Sequence, residues 1–146
     1  HDHLCGEGNR FNGRLVSVDL APRCLRDLTF LAQKRPGLVP VLGDARRHEA
    51  WGVLLPRKVN WLFQDVAQAG QVDIFTAACR RFLAPGGMGL LSLKAASERW
   101  TGEGEAALFE EVEQRLNDAG FHVDESIELA GYEDHHRLFV IHSPEA

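Results

Sequence analysis

Residues 59–94 read VNWLFQDVAQAGQVDIFTAACRRFLAPGGMGLLSLK. The apolar run Val59-Asn60-Trp61-Leu62-Phe63 ends in Gln64-Asp65, a strand with an acid at its carboxyl end. Val72, Phe75, Cys79 and Phe82 then recur at intervals of three and four, which puts them on one face of a helix. Pro85-Gly86-Gly87 stops that helix, and Met88–Leu93 forms a second apolar strand that delivers Lys94. A strand, a helix and a second strand in this order make a parallel pair joined by a helical crossover.

The same alternation extends outward in both directions. Leu15-Val16-Ser17-Val18-Asp19 is another short strand ending in an acid, and Pro22 suits the first turn of a helix. Leu25, Leu28, Leu31 and Ala32 mark a buried face on that helix, and Pro36-Gly37 ends it. Leu38–Leu42 is a strand closed by Gly43-Asp44, and its internal Pro40 suits an edge or a bulge better than a sheet centre. A short helix and a loop are expected over residues 45–55. Beyond Lys94, a loop at residues 97–103 leads to an amphipathic helix through Leu108, Val112, Leu116 and Ala119, capped by Gly120. Phe121–Leu129 and Leu138–Ile141 follow as strands with no helix between them, so they are expected to pair antiparallel. The expected fold is therefore α/β: a mostly parallel sheet with helices on both faces, ending in an antiparallel hairpin. Among doubly wound folds, this pattern points to class I methyltransferases more than to dinucleotide dehydrogenases.

The 146 residues fit one domain, with 45% hydrophobic and 25% charged residues, the average for globular chains. No apolar run approaches the ~20 residues of a membrane span, and no signal-peptide pattern opens the chain. Sixteen basic against twenty-one acidic residues give a net charge of −5. That excludes simple electrostatic adhesion to nucleic acid, but not a local basic patch. Cys5, Cys24 and Cys79 lie far apart and read as reduced, mostly buried thiols. The chain starts at His1 without a methionine, and His-Asp-His-Leu-Cys reads as a helix cut open. An N-terminally incomplete domain is expected. His1 and His3 lack a nearby third ligand, a weak zinc signal, and no metal is expected.

Ligands of open α/β sheets bind outside the carboxyl ends of the strands. Asp19, Asp44, Asp65 and Lys94 stand at those ends. A carboxylate such as Asp19 can accept both hydroxyls of a ribose, and Asp44 is placed for the exocyclic amine of an adenine. Any one of these acids alone reads first as a helix cap. Three at successive strand ends favour a nucleoside-type cofactor. Asp65 and Lys94 form a second constellation, because a lysine beside an aspartate can orient a hydroxyl and stabilise alkoxide character on it. His135 and His136 open the last strand, and one of them could reach the same edge as a proton acceptor or orienter.

These residues also carry a resemblance. Trp61–Gln68 resembles the "FADVAQ" signature of the fibrillarin family, Gly13–Asp19 its "GKVYAVE" and Arg26-Asp27-Leu28 its "RDL". Residues 31–35 resemble "LAKKR", residues 39–46 "IPVIEDAR", residues 83–95 "FLKNGGHFLLSIKA" and residues 132–136 "YERDHA". The matches keep their order over nearly the whole chain.

The resemblance implies a class I methyltransferase that moves a methyl group from S-adenosylmethionine to ribose 2′-hydroxyls of ribosomal RNA and, in archaea, transfer RNA. It implies a box C/D guide RNA that selects the target and a scaffold protein with a Nop domain, in the cytoplasm of an archaeon or the nucleolus of a eukaryote. Of the family's Lys-Asp-Lys-His set, Asp65, Lys94 and His136 are the counterparts found here. Asp19 would hold the cofactor ribose, Asp44 and Ala45 would flank the adenine, Gln68 would lie near its methionine end, and Asp65 would also bind the cofactor. The glycine-rich loop and the first catalytic lysine are expected upstream of His1, so the chain alone is expected to bind the cofactor weakly or not at all. His135 and Asp134 depart from the family string, and Gly6–Asn12 matches nothing in it. A guide-selected target needs only a local basic rim, with Arg46, Arg47, Arg57, Lys58 and Arg99 as candidates. Two other classes fit the same residues: a non-catalytic assembly module, and a methyltransferase acting on a protein or a small molecule.

Overall fold

The computed structural model describes residues 13–99, 104–132 and 135–145. His1, His3, Cys5, Gly6–Asn12 and Asp134 lie outside the described residues. The chain divides into two compact units, one ending at Pro56 and the other starting at Arg57.

In the first unit, β1 (Leu15–Asp19) and β2 (Leu38–Leu42) pair in parallel, from Leu15 opposite Leu38 to Asp19 opposite Leu42. Helix α1 (Pro22–Ala32) makes the crossover, with Pro22 in its first turn, where a missing N–H costs no hydrogen bond. The Ala21 N–H donates to Asp19 Oδ1 at 2.8 Å and fixes the entry to that helix. Pro40 sits in a strand whose partner among the described residues is β1 alone, the edge position expected of it. A short α2 (His48–Trp51) and a 3₁₀ turn at Gly52–Leu54 follow. The Trp51 indole N–H donates to the Asp44 carbonyl at 2.9 Å. A Cβ on Gly43 would come within 2.9 Å of the Trp51 ring, which is why glycine leaves β2 there.

The buried face expected on α1 is not sealed. No residue of this helix is buried, and Phe30 and Leu31 are 58% and 42% exposed. A helix is about 10 Å across and two strands ~5 Å apart are too narrow to cover it.

The second unit holds β3 (Val59–Gln64), α3 (Gln71–Phe82), β4 (Leu83–Lys94), a 3₁₀ turn (Ala95–Ser97), α4 (Gly104–Asp118), β5 (His122–Glu128) and β6 (His136–His142). Its sheet order is β3-β4-β6-β5, with β3 and β4 parallel and β6 antiparallel to both of its neighbours. The last two strands pair as expected. Phe75 and Cys79 of α3 close on Leu91, Leu93, Phe139 and Ile141 of the sheet, together with Leu108, Val112 and Leu116 of α4. Gly89 allows that fit, since a Cβ there would meet Ile141 at 2.8 Å and Phe75 at 2.9 Å.

One boundary differs from the expected one. β4 begins at Leu83, not Met88, and takes in Pro85-Gly86-Gly87. Its pairing with β3 jumps from Val59–Leu83 to Trp61–Met88, so the extra residues bulge from the ladder and free Pro85 from donating to it. The expectation of buried thiols holds for Cys79, whose thiol burial pushes up to about 12, but not for the exposed Cys24. Among the described residues, no helix is long and apolar enough to cross a membrane.

Candidate active site

Parallel pairing brings the carboxyl ends of β3 and β4 to one sheet edge. Lys94 is the last residue of β4, and Asp65 directly follows β3. β6 runs the other way, so its first residue, His136, reaches that same edge in register opposite Lys94. Residues directly opposite in an antiparallel pair present their side chains on one face. By strand alternation, this face is the one opposite Leu91 and Leu93. His136 is buried at 7% exposure and Lys94 is half-buried.

The two histidines left open by spacing have different surroundings. His135 is exposed, takes a left-handed backbone conformation (φ 62°), and holds Glu105 Oε1 2.6 Å from its Nδ1. His136 is buried and borders a groove of about 380 Å³, lined also by Glu105, Phe109, Glu128 and His135. Asp65 is exposed, and among the described residues no ion pair joins it to Lys94. The expected direct hold of aspartate on lysine is absent.

Three residues that the sequence reading did not single out fasten this edge. Gln71, fully buried at the start of α3, uses its side-chain amide as a short extra strand against Lys94. The Lys94 N–H donates to Gln71 Oε1 at 2.9 Å, and Gln71 Nε2 donates to the Lys94 carbonyl at 3.0 Å. Gln64, one residue before Asp65, donates from Nε2 to the Gln71 carbonyl at 2.8 Å. Glu98 Oε1 accepts from the Gln71 N–H at 2.8 Å and from Gln71 Nε2 at 2.9 Å, while Oε2 accepts from the Gly70 N–H at 3.3 Å. A carboxylate is well placed there, because the N-terminus of α3 leaves these donors unpaired and carries partial positive charge.

The residues expected at a cofactor are spread over both units. Gln68 has a buried Oε1 with no hydrogen-bond partner. Half-buried Asp19 spends Oδ1 on the Ala21 N–H, and its second oxygen makes no bond among the described residues. Asp44 is more heavily engaged. The Arg46 guanidinium forks its carboxylate, with Nη2 2.7 Å from Oδ2, and the Arg46 backbone N–H adds a bond at 2.9 Å. Together these hold the Asp44 carboxyl down at about 2, below the ordinary 3.8. Its carbonyl accepts from the Arg47 N–H and from Trp51. An adenine amine at Asp44 would have to share acceptors already in use, with half-buried Ala45 beside it.

The expected basic rim also thins. Arg46 is committed to Asp44, and Lys58 Nζ caps the end of α3 on the carbonyls of Arg80 and Arg81 at 3.1 and 2.5 Å. Arg47 lies 3.8 Å from Glu49, whereas Arg57 and Arg99 form no ion pair among the described residues. No group of three metal-ligating side chains occurs among the described residues.

A model of the fibrillarin family matches residues 9–144. The chain belongs to the fibrillarin family. It is 40% identical over 134 residues to a fibrillarin-like rRNA/tRNA 2′-O-methyltransferase of Thermococcus gammatolerans, covering 92% of this chain and 58% of that protein. It is similar in structure to Aeropyrum pernix fibrillarin, solved with natively bound S-adenosyl-L-methionine, with a TM-score of 0.76, 32% identity and coverage of 92% and 56%. Fibrillarin in a complex with Nop5p matches with a TM-score of 0.81, 25% identity and coverage of 90% and 61%. The fold is thus the expected α/β methyltransferase fold of this family, and the chain spans little more than half the length of these relatives.

Proposed function

We propose that the protein containing this chain is an RNA ribose 2′-O-methyltransferase that uses S-adenosylmethionine, acts on ribosomal and transfer RNA, and works with a box C/D guide RNA and a Nop-domain scaffold. The observation that carries the reading is the registered pair Lys94–His136 at the strand end beside Asp65. When bound, S-adenosylmethionine supplies an already activated sulfonium methyl. The chain's own work is on the hydroxyl, a poor nucleophile near neutral pH. Lys94 orients the oxygen and stabilises the negative charge that grows on it, and His136 takes or places the proton. Asp65 adds the negative charge of the neighbouring strand end.

The cofactor fits two of the residues expected to hold it. The orphaned buried Oε1 of Gln68 is an acceptor suited to an ammonium donor, and the open oxygen of Asp19 suits a ribose hydroxyl. Asp44 fits less well, since Arg46 already forks it. The relatives' names and the Nop5p complex support the choice of RNA substrate and scaffold. The same reading assigns the protein to the archaeal cytoplasm or the eukaryotic nucleolus.

The test is single-turnover transfer of labelled methyl by the full-length protein, assembled with scaffold, guide and matched target. Lys94→Ala and Asp65→Ala are each expected to slow transfer by at least ~10²-fold, the scale of a lost positioned acid–base or electrostatic group. Transfer by Lys94→Ala at the wild-type rate would overturn the assignment. Methylation of a protein or small molecule by wild type without RNA transfer, or no transfer at all, would favour the other two classes.

A further inference from the structure

We propose that Gln71, oriented by Glu98, is a positioning residue that couples the strand ends carrying Asp65 and Lys94. The proposal rests on the catalytic reading of Lys94 above. A lysine has four side-chain torsions, and its ammonium can be aimed only if its backbone is fixed first. In a sheet, the neighbouring strand normally does this. Lys94 is the last residue of β4: on the β6 side it lies opposite His136, while its pairing to β3 ends at Gln64–Leu91. The vacant ladder position beside Lys94 is filled by the Gln71 amide, which pairs with both its N–H and its carbonyl.

The Gln71 amide is fully satisfied. Its two N–H groups go to the Lys94 carbonyl and Glu98 Oε1, and its oxygen takes the Lys94 N–H. No spare bond lets the amide flip, because a flip would set two donors and two acceptors against each other. Glu98 selects the orientation, since its Oε1 accepts from the Gln71 backbone and side-chain N–H groups at once. The Gln64 bond to the Gln71 carbonyl ties the other strand end, next to Asp65, to the same residue. Asp65 and Lys94 share no ion pair, yet each adjoins or bonds a residue locked by Gln71. Misplacing a reacting group by about 1 Å costs as much as ~10²-fold in rate, so this lock acts on chemistry and not only on folding.

The test uses the full-length protein in its guide RNA and scaffold assembly, with rates scored per folded molecule. Gln71→Leu keeps the volume and removes the pairing. It should slow single-turnover transfer at least ~10-fold at saturating S-adenosylmethionine while changing cofactor dissociation less than ~2-fold. Glu98→Ala should slow transfer ~3–10-fold, and Glu98→Gln, which keeps an accepting oxygen for Gln71, should restore most of the rate. A purely structural role would lower the melting temperature and leave these rates unchanged; Gln71→Leu at the wild-type rate overturns the proposal. If Gln71→Leu does not fold, Glu98→Ala at the wild-type rate does the same. Hydrogen exchange at the Lys94 amide gives a readout that needs no methyl transfer. It should quicken at least ~10-fold in Gln71→Leu while the Leu91 amide stays unchanged. An unchanged Lys94 amide overturns the coupling, whereas wild type that transfers no methyl overturns only the catalytic reading.

Discussion

The two units of this chain bury their apolar residues very differently. From Arg57 on, the described helices and strands enclose a continuous core in which Phe75, Leu91, Leu93, Leu116, Phe139 and Ile141 are fully buried. Up to Pro56, Leu38, Val41 and Trp51 are the buried hydrophobic residues among those described, and Leu20, Phe30, Leu42 and Val53 stay more than half exposed. The proposed site residues divide along the same line. Asp65, Lys94 and His136, proposed to act on the hydroxyl, stand on the sealed unit, and chemistry needs accurately held groups. Asp19 and Asp44 stand on the thin unit, which is suited to holding a ligand that adds order when it binds.

Core truncation should sharpen this contrast most. Phe139 has no exposed surface and packs against the Phe109 ring at 6.4 Å between centroids. Phe139→Ala should cost about 3–5 kcal/mol by transfer loss and residual cavity. Leu28→Ala, at a half-buried position on α1, should cost under ~1 kcal/mol, because the site is already partly wet. Denaturant unfolding of the two variants measures both. Equal costs would mean that the contrast between the units does not govern stability.

The histidines come next. His136→Ala should slow methyl transfer at least ~10²-fold, equivalent to about 2.7 kcal/mol of transition-state stabilisation. His135→Ala should change it less than ~3-fold, since that residue is exposed and its partner Glu105 is a surface carboxylate. Single-turnover transfer by the assembled full-length protein distinguishes the two, and a slow His135→Ala with a normal His136→Ala would reverse their assignment.

Much of this was legible in the sequence, for reasons that also explain the failures. Apolar runs ending in a charged residue located β1, β2, β3 and the end of β4, because the strand period and the ligand-side position of those ends are local properties. The family-like strings pick out His136 where spacing leaves His135 open; in the structure His135 is exposed with a φ of 62° and His136 is buried. Periodicity predicts a sealed face on α1 that the structure lacks, because a repeat reports only that a face can be covered. Pro85-Gly86-Gly87 reads as a stop because a bulged strand start looks the same as a turn until its partner strand is known. Gln71 and Glu98 stayed hidden for a different cause. They meet across 27 positions, and a glutamine opening a helix and a glutamate in a loop look like ordinary surface residues.

A smaller effect is expected at Asp19. Asp19→Ala should weaken S-adenosylmethionine binding ~10-fold in the full-length protein while the transfer rate at saturation stays near normal, since its proposed contact is made equally before and during reaction. Titration calorimetry set beside single-turnover rates separates the two. A large fall in rate at saturation would move Asp19 out of the binding role and weaken the division of labour between the units.

The smallest expected effect concerns the Asp44–Arg46 pair. The Arg46 side chain and backbone bonds hold Asp44 at about 2 when folded, against 3.8 unpaired. A depressed folded value means the unfolded chain binds the proton first as pH falls. The pair's contribution is therefore complete above pH 3.8, shrinks between 3.8 and about 2, and is gone below that. Arg46→Ala removes the fork and should return Asp44 toward the ordinary carboxylate range, so the stability gap between wild type and variant should close across that window. The gap should be small and fall with added salt, because the Arg46 side chain is 59% exposed and its charge is screened. Many other carboxylates titrate nearby, so a local probe is needed. The Trp51 indole N–H, bonded to the Asp44 carbonyl at 2.9 Å, provides one. Its proton resonance should shift with a midpoint near 2 in wild type and higher in Arg46→Ala, which keeps only the backbone N–H bond to the carboxylate. Coincident midpoints in the two proteins would show that Arg46 does not hold this turn, and would leave Asp44 open to a cofactor amine after all.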